Sequence, residues 1–333
     1  MPLAISKNKP LSVCSAVLAA LLGGLVGALP ACGQEVLFAE PAAEPIDLQS
    51  LPVLDTPISQ QAFDPAYCPP GVELVLKDEP VEDWVFHTMP RGTIYHTYWA
   101  SAAEPRLEYR LVNEDDIGAL SDSYLGGRVG LWRYGPKNKA EGLQFDLLAG
   151  AKLRQDADNE LTVDATDYRA DLLLTYGDGR DRYKFGYYHI SSHLVDDFIF
   201  ANPGVPSVNF VRDALLFGYS YYWTPRLRLY AEAAWAFNVE VSEPWEFQFG
   251  IDYGPAGPTG FRGEPFFAIN GHLREELDFG GNLALQAGWA WKADYSGAGT
   301  FRTGLYYYNG FSRQFSFFDD FEQQVGWGAF YDF

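Results

Sequence analysis

The sequence predicts an antiparallel transmembrane β-barrel of about twelve strands, preceded by a disordered N-terminal segment. Three observations lead to this fold class. Apolar and polar residues alternate with a period of two from about Arg106 onward. The alternating runs often reach ten residues or more, which is the length that a tilted strand needs to cross a bilayer. Tyr, Trp and Phe cluster at the ends of the apolar faces, as they do in the interfacial girdles of membrane barrels.

The composition excludes two broad classes of protein. The chain of 333 residues carries 24 Lys and Arg against 44 Asp and Glu, a net charge of −20. This balance argues against a nucleic-acid partner, because phosphate binding needs a positive surface. Its hydrophobic content of 47% argues against a wholly disordered acidic chain. The 24 Phe, 9 Trp, 21 Tyr and 33 Gly are typical of many strands joined by tight turns.

Residues 1–33 have the form of a signal peptide for export. Lys7 and Lys9 precede an uncharged apolar run over residues 11–29, and small residues follow it. We expect cleavage, because the run is rich in Ala and Gly. An uncleaved transmembrane anchor is the alternative, since the run is about long enough to span a bilayer. The end of the run also looks like an imperfect lipoprotein cleavage box, in which Cys32 would be lipidated.

Residues 34–90 differ from the rest of the exported chain. They hold nine Pro and eleven Asp or Glu, with Lys77 as their one basic residue. No helical or strand periodicity is sustained there, so we expect a mostly disordered periplasmic segment. Its last part is more apolar and is expected to pack under or into the following domain. Cys68 has no obvious intramolecular partner, which excludes a disulfide framework.

Residues 91–333 are predicted to form an outer-membrane β-barrel. Twelve is an even number, as a single-chain bacterial barrel requires, and pairing of the first strand with the last would leave no free sheet edge. The longer loops, which follow the first, third, fifth and eleventh strands, are expected to be extracellular. The strands are expected near residues 104–113, 127–134, 141–153, 167–177, 180–191, 208–222, 225–238, 245–253, 264–274, 279–292, 300–309 and 324–333.

The second face of these strands mixes charged residues, amides and glycines. Because a barrel of this size has little internal room, we expect a narrow lumen filled by ion pairs between neighbouring strands. The main functional prediction is therefore an outer-membrane barrel with a structural, binding or limited-transport role. The residues expected to form these pairs include Arg106, Glu108, Arg169, Asp171, Arg228 and Glu232.

One predicted strand carries residues that could act as a catalytic base and nucleophile. His189 and Ser191 share the lipid-facing side of the fifth predicted strand, so the imidazole could accept the proton of the serine hydroxyl. Asn209 or Asp213 on the next strand could orient the imidazole. Nearby, Asp196 and Asp197 could bind Ca²⁺, which would help an oxyanion to form. The alternative function is thus a membrane-embedded serine esterase.

The His189–Ser191 pair resembles the His-x-Ser motif of outer-membrane phospholipase A and the lipid A deacylases. The resemblance implies a catalytic base and nucleophile on the outer wall of a barrel, acting on phospholipid or lipid A acyl chains. In those families the motif usually reads His-x-Ser-Asn, and this sequence has Ser192 in place of the Asn. The resemblance therefore carries over only to His189 and Ser191.

A broader resemblance covers most of residues 80–333. The segments WVFHTMPRGTIYHTYWASAAEPR, GYYHISSHLVDDF and NFVRDALLFGYSY are similar to an uncharacterised outer-membrane family found in planctomycetes and other bacteria, a domain of unknown function. The last strand, with Phe333 at its end, resembles the signature that the outer-membrane barrel assembly machinery reads. These resemblances imply that the protein lies in the outer membrane, with membrane lipids and that machinery as its partners.

The sequence leaves three hypotheses about the protein, and the first two interpret the same residues differently. His189 and His193 could be girdle residues that bind lipid headgroups, while Ser191, Ser192 and the two aspartates fix a loop. An enzyme is therefore one hypothesis, and a barrel without catalysis is the other. A soluble, periplasmic β-sandwich is a third, because alternation alone also occurs in sandwiches.

Overall fold

The computed structural model describes residues 83–137, 139–294 and 299–333. The predicted signal peptide, Cys32 and most of the acidic segment lie outside these described residues. The uncleaved anchor considered for residues 11–29 lies outside them as well. Within the described part of the chain, no helix is long and apolar enough to cross a membrane.

The described chain forms one closed antiparallel sheet. Twelve strands, β2 to β13, pair in chain order, and β13 then pairs with β2. The predicted barrel is therefore confirmed, and the β-sandwich is wrong because there is one closed sheet instead of two packed ones. The strands are β1 (Val85–Thr88), β2 (Leu107–Glu114), β3 (Gly118–Gly135), β4 (Gly142–Asp156), β5 (Thr162–Asp178), β6 (Asp181–Leu194), β7 (Phe210–Thr224), β8 (Leu227–Glu240), β9 (Trp245–Tyr253), β10 (Glu264–Arg274), β11 (Gly280–Lys292), β12 (Thr300–Phe311) and β13 (Phe321–Asp332).

Strand β1 is an addition to the barrel of twelve. β2 covers only the first eight residues of the edge of β3, which leaves the far end of that edge open. β1 pairs there, with Val85 opposite Gly135 and Thr88 opposite Trp132. It falls within the last, more apolar part of the stretch 34–90.

Helices are few in the described chain. The connection between β6 and β7 contains a short α-helix, α1 (Asp196–Ala201), and three-residue 3-10 helices lie at Gly260–Arg262, Glu275–Leu277 and Phe315–Phe317. The expected loop after the first barrel strand is instead a turn over residues 115–117, because β3 begins earlier than predicted. The outward positions near its start are Ala119, Ser121 and Ser123, which are too small to give an apolar alternation.

The distribution of residues across the barrel wall is the reverse of that in a soluble protein. Large apolar side chains point outward, and Leu125, Phe217 and Leu305 are 62%, 53% and 63% exposed. Soluble proteins rarely bury Arg and rarely expose such an apolar band. The wall is therefore of the transmembrane type. Six arginines are among the largest fully buried side chains: Arg106, Arg110, Arg154, Arg212, Arg274 and Arg302.

The lumen is occupied by the chain itself. Residues 89–106, which we call the inner segment, run from β1 into the barrel and back to β2. Tyr98 of this segment stacks on Tyr230 of β8 with ring centroids 3.9 Å apart. Ser101 Oγ donates a hydrogen bond to Gln248 Oε1 at 2.7 Å. The apolar stretch before the first barrel strand thus packs into the barrel.

The connection between β12 and β13 folds into the opposite end of the barrel. In this connection, Gln314 Nε2 donates to Asp167 Oδ1 at 2.8 Å, and the Ser316 and Ser192 hydroxyls are 2.6 Å apart. The Phe315 ring stacks on Phe210, with centroids 4.7 Å apart. The inner segment and this connection thus pack inside the barrel.

Buried ion pairs line the remaining interior, but their geometry differs in part from the expected pairing. Arg169 pairs with Asp171 at 2.7 Å, and Arg106 lies 3.8 Å from Glu108. Both pairs lie two residues apart in the chain, because alternate side chains of a strand point to the same side. Other pairs do join neighbouring strands, as Arg228 of β8 does with Asp252 of β9.

Lys184 is bound on two sides by carboxylates of different parts of the chain. Its Nζ atom lies 2.5 Å from Glu104 of the inner segment and 2.6 Å from Glu232 of β8. It crosses Gly218 on the intervening strand β7, where an added Cβ would lie 2.8 Å from the lysine side chain. The ammonium therefore ties the inner segment to the wall.

We expect the Lys184→Met substitution to destabilise the barrel by about 3–5 kcal/mol, because it leaves two carboxylates buried without their cation. The free energy of unfolding in urea, measured for protein refolded into lipid vesicles, checks this value. Lys137→Met, at an exposed turn position, is the matched control and should change it by less than about 0.5 kcal/mol. Adding Glu104→Gln and Glu232→Gln to the Lys184→Met variant should restore most of the lost free energy of unfolding. A loss below about 1 kcal/mol for Lys184→Met would contradict this role.

Candidate active site

The His-x-Ser pair lies on the outer wall of the barrel. His189 and Ser191 are on β6, where they alternate with Tyr188, Ile190 and Ser192. These three alternate residues are buried in the lumen, with at most 1% exposure. The period of two therefore directs both His189 and Ser191 away from the lumen, to the side of the apolar band.

His189 forms a hydrogen-bonded pair with Asp213. The register of β6 and β7 places the two residues directly opposite each other. His189 Nδ1 lies 2.8 Å from Asp213 Oδ1. An ionised carboxylate can only accept, so Nδ1 carries the proton and Nε2 is left as the basic nitrogen. The histidine side chain is 40% exposed, so that this nitrogen is accessible from outside.

Two further donors hold the carboxylate of Asp213. Tyr187 donates its hydroxyl to Oδ1 at 2.5 Å, and Asn238 Nδ2 donates to Oδ2 at 2.7 Å. Asn238 reaches Asp213 because of an irregularity in the pairing of β7 and β8. Asp213 is opposite Asn238 while the next residue, Ala214, is opposite Ala236, so β8 has one extra residue there. Such bulges redirect side chains and are frequent beside active sites.

The second residue predicted to orient the imidazole does not contact it. Asn209 precedes the start of β7, and its amide nitrogen donates to Glu240 of β8. Because Phe210 is opposite Ser192, Asn209 lies beyond the position that faces His189. The strand register thus brings Asp213 to the histidine and leaves Asn209 out.

Ser191 lies two residues from His189 on the same face. Its hydroxyl forms no hydrogen bond within the part of the chain that the structure describes. Catalytic hydrogen bonds are often long or poorly aligned before substrate binds, and side chains two apart on a strand lie on the same face. No hydrogen bond in the described chain therefore holds the serine hydroxyl away from the imidazole on this face.

Ser192 and the two aspartates lie elsewhere. Ser192 faces the lumen, where its hydroxyl donates to Asp167 at 2.5 Å. Asp196 and Asp197 are exposed at the start of α1. Among the described residues there is no group of three or more His, Cys, Asp or Glu side chains that could hold a metal ion. The Ca²⁺ site predicted at Asp196 and Asp197 therefore stays a prediction.

The surroundings of the pair are aromatic. The Tyr187 ring lies 6.2 Å from that of Phe237, and the His193 ring lies 6.5 Å from that of Tyr168. A carboxylate on an apolar outer wall has a cost in free energy, so its presence there marks a candidate functional site. Tyr187 could have been identified by its period-two position on the face of His189. Asn238 could not, because its contact depends on the bulge.

Comparison with known proteins gives one family and several similar barrels. A family model described as a protein of unknown function (DUF1207) matches residues 137–333. No curated protein matches the chain in sequence. The chain is similar to outer membrane phospholipase A from Escherichia coli, with a TM-score of 0.47 and 12% identity over 68% of this chain and 90% of that one.

Two other solved structures are similar to the chain. The Salmonella typhi outer membrane phospholipase, a dimer with bound calcium, has a TM-score of 0.47 and 13% identity, covering 68% of this chain and 90% of that one. The KdgM porin has a TM-score of 0.38 and 12% identity, covering 68% of this chain and 98% of that one.

Proposed function

We propose that this chain, which belongs to the DUF1207 family of proteins of unknown function, is an outer-membrane barrel that hydrolyses acyl esters of membrane lipids at its outer wall. The observation that carries the proposal is the hydrogen bond between His189 and Asp213, beside Ser191, on the apolar side of the barrel. The packing of the inner segment inside the barrel is consistent with it, because a substrate that diffuses within the bilayer reaches this wall without passing through the barrel.

In the proposed reaction, His189 Nε2 takes the proton of the Ser191 hydroxyl as the serine oxygen attacks the ester carbonyl. The ester C–O bond then breaks, and the leaving alcohol takes the proton from His189. Water hydrolyses the acyl-serine by the same route and releases the fatty acid. Asp213 keeps the imidazole in the required tautomer and stabilises its protonated form. Tyr187 and Asn238 hold the aspartate for that role.

The substrate class follows from the surroundings of the site. A phospholipid or lipid A acyl chain can lie along the aromatic wall around Tyr168 and Phe237, with its ester group next to His189. In the proposed orientation, the end of the barrel with the starts of β1 and β2 is periplasmic, so His189 faces the outer leaflet. Export by the predicted signal peptide and insertion by the barrel assembly machinery are part of this proposal.

The direct test is fatty-acid release by the purified full chain in detergent micelles containing phospholipid or lipid A, with and without Ca²⁺. We expect release, and a sulfonyl fluoride should sulfonylate only a nucleophilic serine, with loss of fluoride. Mass spectrometry of the labelled peptide should place the adduct on Ser191. The neighbouring Ser192 is an internal control, because its side chain is buried in the lumen. The proposal is refuted if no fatty acid is released from either lipid, with or without Ca²⁺, and if no labelled Ser191 peptide is found.

The second candidate is a barrel with a structural or lipid-binding role and no catalysis. The observation that favours it is the packing of the inner segment and residues 312–320 inside the barrel, which leaves less room for transport. The outward histidines would then bind lipid headgroups. This candidate is the one left if the assay and the labelling experiment both fail.

A further inference from the structure

A cavity of about 360 Å³ lies at the end of the barrel opposite to α1. It is bounded by the turn between β5 and β6, the turn between β7 and β8, and the inner segment. Neither His189 nor Ser191 borders it. The cavity is therefore separate from the candidate active site.

The lining of this cavity is rich in cations. Five of the side chains that border it are Arg or Lys, whereas the carboxylate side chains are those of Asp252 and Asp332. Both carboxylates are already paired, Asp252 with Arg228 and Asp332 with Arg302 at 2.6 Å. The five cations are Arg180, Arg182, Arg226, Arg228 and Lys292.

Three of the five cations have no acidic partner in the described chain. Arg180 donates to the Trp223 carbonyl oxygen at 3.4 Å. Arg182 Nη1 donates to the carbonyl oxygens of Gly179 and Asp181 at 2.9 and 2.8 Å. Lys292 Nζ makes no hydrogen bond or ion pair with any described residue. Phe333, which also borders the cavity, accepts a hydrogen bond from the Thr93 hydroxyl at 3.4 Å through its carbonyl oxygen.

His96 of the inner segment lies beside these cations. Its ring borders the space, and its Nδ1 lies 3.2 Å from the Thr93 hydroxyl. Burial, followed by the charges of Lys292 and Arg228, lowers the pKa of His96 well below its usual range. In a chain with 44 acidic and 24 basic residues, such a group of cations beside one cavity is notable.

We propose that this cavity binds a small anion that carries a phosphoryl group, through Arg180, Arg182 and Lys292. Guanidinium groups match phosphate oxygens with two parallel hydrogen bonds, and a lysine ammonium adds a point charge. The volume is within the range of small-molecule sites. Trp99 and Tyr222 supply an apolar surface for a small organic part.

The test is a calorimetric titration of the refolded full chain in phosphate-free zwitterionic detergent. Inorganic phosphate and glycerol 3-phosphate are the free-anion arms, and short-chain phosphatidylglycerol is the lipid-headgroup arm. We expect saturable binding of one anion per chain. The compound that binds with the highest affinity shows whether the phosphoryl group comes from a free anion or from a lipid headgroup. Lys292→Gln should weaken binding about tenfold or more, because a charge-assisted hydrogen bond is lost. Lys137→Gln, with the same change of charge at an exposed turn, should not.

Two further measurements keep the test independent of folding. Heat-modifiable gel migration should be unchanged in Lys292→Gln, because the lysine has no partner in the described chain. In the wild type, an NMR titration should show the pKa of His96 rising when phosphate is bound, since the anion offsets the surrounding positive charge. The proposal is wrong if no arm binds saturably, if both lysine variants bind alike, or if His96 does not respond.

Discussion

Replacing Ser191 by Ala is expected to abolish the release of fatty acid by the purified barrel. The substitution removes the nucleophile, and removal of the serine from a serine–histidine site typically lowers kcat by about 10⁴ or more. The fold should be unaffected, because the Ser191 hydroxyl makes no hydrogen bond in the described chain. The measurement is the rate of fatty-acid release from phospholipid in mixed micelles, with heat-modifiable migration as the check of folding.

His193→Gln is the matched control for this experiment. His193 lies on the same face of β6, two residues beyond Ser191, and its ring packs near Tyr168. A role in the girdle predicts that its loss changes the rate by no more than about threefold, well below 1 kcal/mol. If Ser191→Ala keeps the wild-type rate, the serine is not the nucleophile. If His193→Gln lowers the rate as much as Ser191→Ala does, the activity depends on the girdle and not on the proposed pair.

The Asp213→Asn substitution should lower kcat by roughly 10³–10⁴, with little change in KM. An amide can present its NH₂ group to His189 Nδ1, which then favours the tautomer that has no basic nitrogen at Nε2. The contacts of the acyl chain with the wall are unchanged, so binding should persist. Steady-state kinetics on phospholipid micelles separates the two parameters.

The Asn209→Ala substitution tests which of Asn209 and Asp213 orients the imidazole of His189. Asn209 is near the start of the same strand, but its amide binds Glu240 and not His189. Its replacement should therefore leave kcat within about threefold of the wild type. Equal losses in Asp213→Asn and Asn209→Ala would contradict the assignment of Asp213 as the positioning residue. A loss in Asn209→Ala alone would mean that the register of β6 and β7 differs from the one described.

Much of the fold is predictable because a barrel wall repeats a simple rule. Lipid outside and a polar interior require apolar and polar residues to alternate. Eleven of the twelve expected strands agree with the observed ones to within five residues at each end. The pattern is weak at the start of β3, where small residues such as Ser121 and Ser123 face outward. The sequence predicts a loop there, whereas β3 begins at Gly118.

The sequence predicts the face of the strand on which the candidate site lies, but not which residues contact His189. The side on which His189 and Ser191 lie follows from a period of two within one strand. The residue opposite His189 depends on the register between strands, which the sequence left open between Asn209 and Asp213. The contact of Asn238 with Asp213 depends on a bulge, which shifts the pairing by one residue and leaves no simple mark in the sequence.

The sequence by itself determined that the chain forms a barrel with an apolar exterior, and which side chains face outward. Alternation is a local property, since it needs only the geometry of a single strand. Only the tertiary structure decided what fills the lumen and which residues meet. Glu104 reaches Lys184 across 80 residues of chain, and Asp213 reaches His189 across 24. Such contacts depend on how the inner segment enters the barrel and on the register between strands, and neither is encoded in any one strand.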